Sequence, residues 1–255
     1  TKIADSEPDK EHPLGHGRIE YLSAMKFTGS IRSVKEGEII FANEPLLRIE
    51  APLIQAQIME TAILNIVNYQ ILIATKAARI KHLCPDEVCM EFGTRRAHEF
   101  DAAIWGTRAS IIGGFDATSN VKAAKLFNIP CSGTHAHSFV QAYEDEEVAF
   151  KKYAAAHKDC YFLVDTYDTL RSGIPTAIKV ADELKDKINF HGIRLDSGDI
   201  AYLSKEARKM LDEAGYPNAK IVASNDLDED TITHLKQEGA CINAWGVGTK
   251  LITAY

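Results

Sequence analysis

Two histidines one residue apart, His135 and His137, stand in the stretch Gly133-Thr134-His135-Ala136-His137, and aspartates close the apolar runs that follow it, at Asp165 and Asp196. The H-x-H spacing suits a pair of metal ligands. It suits equally one buried structural histidine beside one reactive imidazole, a nucleophile near pH 7 that Asp165 could orient. Arg194 lies two residues before Asp196 on a strand otherwise built of apolar residues, so the two share one pleat face. A guanidinium there needs an anion, either a carboxylate of the protein or one of a ligand. Asp199 reads as the cap of a helix starting near Ile200. Gly246-Val247-Gly248-Thr249 is either a tight strand-to-helix turn or a phosphate cradle of backbone N–H groups.

Each of these groups follows a short apolar run. The runs are Val88 to Phe92, Ser110 to Gly114, Ile129 to Ser132, Cys160 to Val164, Phe190 to Leu195, Lys220 to Ser224 and Ile242 to Val247. Between them lie helix candidates at Phe139 to His157, Ile174 to Lys185, Ile200 to Ala214 and Asp228 to Glu238. Strands alternating with helices imply a parallel sheet, and some seven such units imply a barrel rather than an open sheet. In a parallel barrel the polar segments after the strands emerge on one rim, where loops build an active site. Residues 88–255 therefore read as an α/β barrel, and residues 1–87 as a partial mixed α/β domain. In the latter, residues 1–17 read as a polar surface loop and Lys26 to Pro52 as a small β unit with the runs Glu38 to Phe41 and Leu46 to Ile49. A long helix from Pro52 to His82 follows, with apolar residues around most of its circumference, which predicts burial.

The 255 residues are 45% hydrophobic and 25% charged, a globular composition that excludes general disorder. A formal charge of -7 excludes a nucleic-acid platform, though local basic sites for small phosphates remain. The longest apolar stretch, Ile58 to Ile80, is interrupted by Glu60, Asn65, Asn68, Gln70 and Lys76, which argues against a membrane span. Five cysteines, odd in number and scattered, read as reduced thiols of a cytoplasmic protein. A chain that opens at Thr1 without methionine and stops at Tyr255 in mid-pattern reads as a fragment.

Six motifs, in order, resemble the nicotinate phosphoribosyltransferase family: Glu91-Phe92-Gly93-Thr94-Arg95-Arg96-Ala97, Gly114 to Val121, Ser132 to Ser138, Val164 to Leu170, Arg194 to Asp199 and Gly246 to Thr249. The resemblance runs from about Phe27 to Tyr255. It implies a type II phosphoribosyltransferase, an irregular α/β barrel beside a mixed α/β domain, dimeric, with sites shared across the dimer. The implied reaction joins nicotinate to 5-phosphoribosyl 1-pyrophosphate, giving nicotinate mononucleotide and pyrophosphate. It is coupled to ATP hydrolysis through a phosphohistidine and leads by salvage to NAD. Carried over by position, His137 would be the phosphorylated histidine and Asp165 the carboxylate that holds its ring. Phe92 would stack on the pyridine, Arg194 bind the nicotinate carboxylate, Arg95 meet phosphate groups and Asp196 hold the ribose hydroxyls. Ser224, Asn225, Gly246, Gly248 and Thr249 would cradle the 5-phosphate. Mg²⁺ on the pyrophosphate would help it depart, with no metal site of the protein's own. The chain departs from the family in lacking an N-terminal segment that carries a tyrosine for the pyridine ring, and the text after Tyr255.

Three alternatives stand beside this one. A nicotinamide-specific relative would place an aspartate at Ser119, where neutral serine favours the acid. A quinolinate-specific relative would need more cationic side chains, and the motif ending in His137 argues against it. A non-catalytic barrel that senses a phosphorylated metabolite would lack ADP release dependent on nicotinate and phosphoribosyl pyrophosphate.

Overall fold

The computed structural model describes residues 15–255, with side chains from residue 19 onward. Most of the loop expected over residues 1–17 thus lies outside the described residues; residues 15–17 open a helix, α1 (Gly15–Ala24). The chain divides into two units at Ile66 and Val67.

In the first unit, β1 (Ser30–Ser33) and β2 (Leu47–Glu50) form an antiparallel pair in register from Ser30 opposite Glu50 to Ser33 opposite Leu47. The run Glu38 to Phe41, expected as a strand, is irregular instead, lying between turns at Glu36-Gly37 and Ala42-Asn43. Glu38 Oε2 accepts from the Lys35 amide at 3.2 Å and Glu44 Oε2 from the Phe41 amide at 2.8 Å, so local side chains take donors that a ladder would need. The long helix α2 (Leu53–Leu83) matches its expected limits within a residue, but not its expected burial. Leu53, Ile54, Ile58, Leu64, Ile66 and Leu72 are exposed, while Ile73, Ala77 and Ile80 are fully buried. Helical periodicity tells which residues share a face, not what covers it. By length and composition alone α2 could cross a membrane. Its last turns, however, belong to the second unit's core, and Lys76 there pairs with Glu229 at 2.5 Å.

The second unit continues through β3 (Val88–Glu91), α3 (Phe100–Ile112), β4 (Ala117–Thr118), α4 (Val121–Phe127), α5 (His137–Val140), α6 (Glu146–Ala156), β5 (Asp159–Leu163), α7 (Ile174–Glu183), β6 (Asn189–Leu195), α8 (Ile200–Glu213), β7 (Lys220–Ala223), α9 (Glu229–Gln237), β8 (Ala244–Val247) and α10 (Thr249–Ile252). Three expectations are corrected. Ser110 to Gly114 is not a strand but the end of α3 and its cap, and the neighbouring strand is the short β4 within polar text. Phe139 to His157 is two helices, because Asp145 accepts from the Val148 amide at 2.8 Å and restarts the helix there. Ile129 to Ser132 forms only a single parallel bridge, Cys131 to Thr118.

The sheet is six-stranded, in the order β4-β3-β8-β7-β6-β5, parallel throughout and curled into a half-barrel. Read cyclically, that order is a ring cut between β4 and β5. The segment 130–135 lies across this gap. On the β4 side its Pro130 carbonyl accepts from the Thr118 amide at 3.1 Å and its Ser132 amide donates to the Thr118 carbonyl at 2.9 Å. On the β5 side the acceptor is a side chain: His135 Nε2 takes the Leu163 amide at 3.2 Å.

Alternation along the strands separates two packed layers. Cys89, Phe162, Val164, Ile193, Leu195, Ile221, Ala223, Trp245 and Val247 face the helices and build the main core. Met90, Ala117, Val222 and Ala244, with Phe92 and Tyr161 against them, line the inner face. A π-helical turn, Thr169–Gly173, joins β5 to α7, and a Cβ on Gly173 would stand 1.8 Å from the Val164 carbonyl oxygen, so only glycine allows this approach.

Burial draws the His135 imidazole down to about 4, so it stays neutral and can accept a hydrogen bond. A folded-state value below the unfolded one gives stability that is complete above about pH 6.5 and lost as pH falls toward 4, at most about 3 kcal/mol. His135→Gln keeps an acceptor without the titration. Urea unfolding across this range should therefore show the wild-type advantage shrinking with acid; parallel stability curves would refute the role given to His135.

Candidate active site

The C-terminal ends of the parallel strands present one pleat face inward. Phe92, Asp165, Arg194, Asp196, Ser224, Gly246 and Gly248 follow that alternation from β3, β5, β6, β7 and β8. Arg194 is the centre of the group. Its Nε donates to Ser224 Oγ at 2.8 Å, Nη1 to Thr134 Oγ1 at 2.9 Å and Nη2 to Asp196 Oδ1 at 2.9 Å. The guanidinium also lies over the Phe92 ring, 5.4 Å from its centroid. A guanidinium has five N–H donors, so one on each terminal nitrogen remains for a ligand. The partner anion anticipated for Arg194 is thus Asp196, with further donors left over.

Asp196 is half-buried, and this partial burial opposes its charge. The Arg194 charge and hydrogen bonds from Ser224 and Arg194 nevertheless hold it below the usual carboxylate range. Asp165 is almost wholly buried; its Oδ2 accepts from the Asp196 amide at 2.7 Å and the Ser197 hydroxyl at 2.6 Å. Its Oδ1 has no hydrogen-bond donor and lies 3.9 Å from His137 Nε2. Asp196 Oδ2 is closer to that nitrogen, at 3.4 Å, and the other ring nitrogen, Nδ1, lies 3.1 Å from Thr166 Oγ1. The His137 side chain is 36% exposed, open enough to react.

The H-x-H pair is divided between two tasks. His137 faces the carboxylates, while His135 sits among Phe139, Phe150, Tyr153 and Phe162 with Nε2 occupied by the Leu163 amide. Among the described residues no group of three or more histidine, cysteine, aspartate or glutamate side chains converges on a metal position.

The remaining expected residues lie on the rim or near it. Ring atoms of Phe92 would come within 2.6 Å of a Cβ on Gly246, so that glycine makes room for the ring. Gly248 and Thr249 begin the four-residue α10. Asn225 is exposed, at φ 101°, in the turn after β7. Ser224, by contrast, is buried and its hydroxyl is committed to Arg194, Asp196 and the Leu195 carbonyl rather than to an open cradle. Ser119 is exposed at the end of β4, its amide bonded to the Glu91 carbonyl at 3.0 Å. Arg95 and Arg96 are exposed in the turn after β3, with no ion pair among the described residues.

Sequence reasoning passed over Thr134, Thr166, Ser197 and Glu91. The first three are hydroxyls inside recognised motifs, ordinary surface residues by type. Glu91 carried a signal, an acid in the apolar run Val88 to Phe92. It is fully buried and accepts from Thr107 Oγ1 at 2.9 Å, Thr118 Oγ1 at 2.6 Å and the Gly93 amide. Burial raises its carboxyl above the usual range in spite of those bonds, and it ties the ends of β3 and β4 to α3.

Comparison with known proteins gives the family. The model of the nicotinate phosphoribosyltransferase (NAPRTase) family matches residues 88–255, and that of the NAPRTase N-terminal domain matches residues 9–68. Nicotinate phosphoribosyltransferase of Bacillus subtilis is 73% identical over 223 residues, covering 88% of this chain and 46% of that protein. Nicotinate phosphoribosyltransferase 1 of Arabidopsis thaliana is 37% identical, covering 99% and 55%. The crystal structure of human nicotinic acid phosphoribosyltransferase superposes with a TM-score of 0.86 at 30% identity, over 97% of this chain and 60% of that one. A nicotinate-nucleotide pyrophosphorylase from Pyrococcus furiosus follows at 0.78 and 29%, over 89% and 58%. The chain spans about half the length of the curated relatives it matches. It belongs to the nicotinate phosphoribosyltransferase family.

Proposed function

We propose that the protein joins nicotinate to 5-phosphoribosyl 1-pyrophosphate, forming nicotinate mononucleotide and pyrophosphate for NAD salvage. The reaction is coupled to ATP hydrolysis through phosphorylation of His137. The observation that carries this reading is the meeting, on one inner rim, of a half-exposed histidine, two carboxylates and an arginine stacked on an aromatic ring. Displacement of pyrophosphate from the anomeric carbon passes through an oxocarbenium-like cation, which carboxylates at this rim would stabilise. Asp196, held ionised, serves that charge and the ribose hydroxyls. The planar carboxylated ring would lie beside Phe92 with its carboxylate on the spare N–H donors of Arg194. Exposed Arg95 and Arg96 meet phosphates, and Asn225, Gly246, Gly248 and Thr249 border the 5-phosphate, with Ser224 acting through Arg194 and Asp196.

Mg²⁺ enters this scheme as a passenger of the polyphosphates. Held mainly by phosphate and water oxygens, it would need few ligands from the protein. It supplies neutralisation of the departing pyrophosphate. A homodimer with sites completed by the partner subunit follows from the same family resemblance. Full-length protein given nicotinate, phosphoribosyl pyrophosphate and ATP should form nicotinate mononucleotide with ADP release that requires both co-substrates; ADP release independent of them, or no mononucleotide, would reject the proposal.

Three substitutions divide the roles. His137→Ala should abolish ATP hydrolysis and acid-labile phosphorylation yet retain slow ATP-independent mononucleotide formation, since the substrates remain positioned. Retained label on the variant would exclude His137. Arg194→Lys keeps the charge but loses the three-way fork, so KM for nicotinate should rise roughly 30-fold or more, about 2 kcal/mol. An unchanged KM would remove Arg194 from nicotinate binding. Ser119→Asp should weaken use of nicotinate far more than binding of phosphoribosyl pyrophosphate, because a second carboxylate repels the substrate's own. Equal effects on the two would place Ser119 outside the site.

A further inference from the structure

Glu91 is the acid of β3, and alternation puts it on the face that Cys89 presents to the helices, not on the inner face of Met90. It is fully buried, and among the described residues no lysine, arginine or histidine pairs with it. The titratable group it acts on is the Tyr69 phenol of α2, pushed up to about 12 by burial and then by Glu91. An isolated carboxylate is costly in such a place. Oε1 accepts from the amide of Gly93, which opens the turn carrying Arg95. Oε2 accepts at 2.6 Å from the Thr118 hydroxyl, which takes the Asn120 amide at 2.9 Å and so gives its own proton to Glu91. Thr107 Oγ1, on α3, has one proton between two oxygens, the Ala103 carbonyl at 2.8 Å and Oε2 at 2.9 Å. With that proton on Ala103, Thr107 presents a lone pair to Oε2, and the contact remains a hydrogen bond only when Oε2 carries a hydrogen and the direction of donation reverses.

We infer that Glu91 is a neutral carboxylic acid, protonated on Oε2 toward Thr107, and that it is a positioning residue which holds the Arg95 turn and Ser119 in place around the substrates without touching them. The positioning role rests on the reaction proposed above, whereas the protonation rests on the buried geometry. Neutrality suits the task. The ligands of this rim are anions, and a carboxylate bonded to the Arg95 turn would offset the charge that Arg95 offers to phosphate. Burial raises the carboxyl above the usual range although bonds from Thr118, Gly93 and Thr107 oppose it. Loss of the bond to Gly93 frees the turn at its start, and loss of the bond to Thr118 frees the residue before Ser119.

Infrared spectra of the full-length protein in heavy water at neutral pH, wild type minus Glu91→Gln, should contain the stretch of one protonated carboxyl. Wild type minus Thr107→Val, similar in shape without the acceptor, should show the same band displaced, a reading that does not need the glutamine variant to fold. No such band in the wild type, or a band that Thr107→Val leaves in place, overturns the neutral acid. The positioning role is read from kinetics. Glu91→Asp, one methylene shorter, cannot reach Gly93 and Thr118 at once and should raise KM for phosphoribosyl pyrophosphate about tenfold with a smaller change in kcat, the worth of one hydrogen bond. Glu91→Gln spans the same distance without charge and should stay within about threefold of the wild type. A merely stabilising residue would lower Tm in the aspartate variant and leave KM alone, and that result overturns the role. Absence of mononucleotide formation by the wild type rejects the proposed reaction and the positioning role with it, while the infrared band still decides the protonation.

Discussion

The parallel sheet leaves the Leu163 amide unpaired at the edge of β5, and the acceptor that takes it is the Nε2 of His135 rather than a backbone carbonyl. An unsatisfied buried amide costs roughly 1 to 3 kcal/mol, so this bond matters beyond its own net worth. It fixes the segment 130–137 across the gap between β4 and β5, with backbone pairing to Thr118 at its other end. His137 follows two residues later, which sets where the reactive imidazole stands. Position and reactivity are therefore divided between two histidines that look equivalent in sequence. The aromatic cage of Phe139, Phe150, Tyr153 and Phe162 keeps His135 neutral and so able to accept.

The electrostatic plan of the rim follows from the period-two alternation of the strands. Arg194 and Asp196 point inward because Ile193 and Leu195 point into the helical core. Thr134 and Ser224 then fix the guanidinium from a loop on one side and β7 on the other. Burial makes these pairs costly to break singly, since removing one partner leaves a desolvated charge. A rim so arranged offers fixed cationic donors to anionic ligands and fixed carboxylates to a cationic reaction centre.

Much of this was legible in the residues. Strands β3, β5, β6, β7 and β8 coincide with apolar runs, because strands buried on both faces read as continuous hydrophobic text. Arg194 and Asp196 stood out as charges on one face of such a run. The two-residue β4 was illegible, since Ala117 and Thr118 pair through backbone groups that any sequence carries. Apolar residues around α2 predict burial, yet much of the helix is exposed, because periodicity is blind to what lies opposite. The family resemblance implies a phosphate cradle that includes Ser224, whereas its hydroxyl is bound to Arg194 and Asp196, a pairing that residue type does not encode. Thr134 and Thr166 matter through the atoms they face, which residue type does not encode.

The claim on which the rest depends is that His135 closes the gap in the sheet as a neutral acceptor. Nitrogen-15 NMR of the full-length protein at neutral pH reads this directly, through the two ring nitrogens and the scalar coupling across the hydrogen bond. The account predicts a pyridine-type Nε2 coupled to the Leu163 amide and a pyrrole-type, protonated Nδ1. A protonated Nε2, or a Leu163 amide with no coupling to the ring, would contradict it.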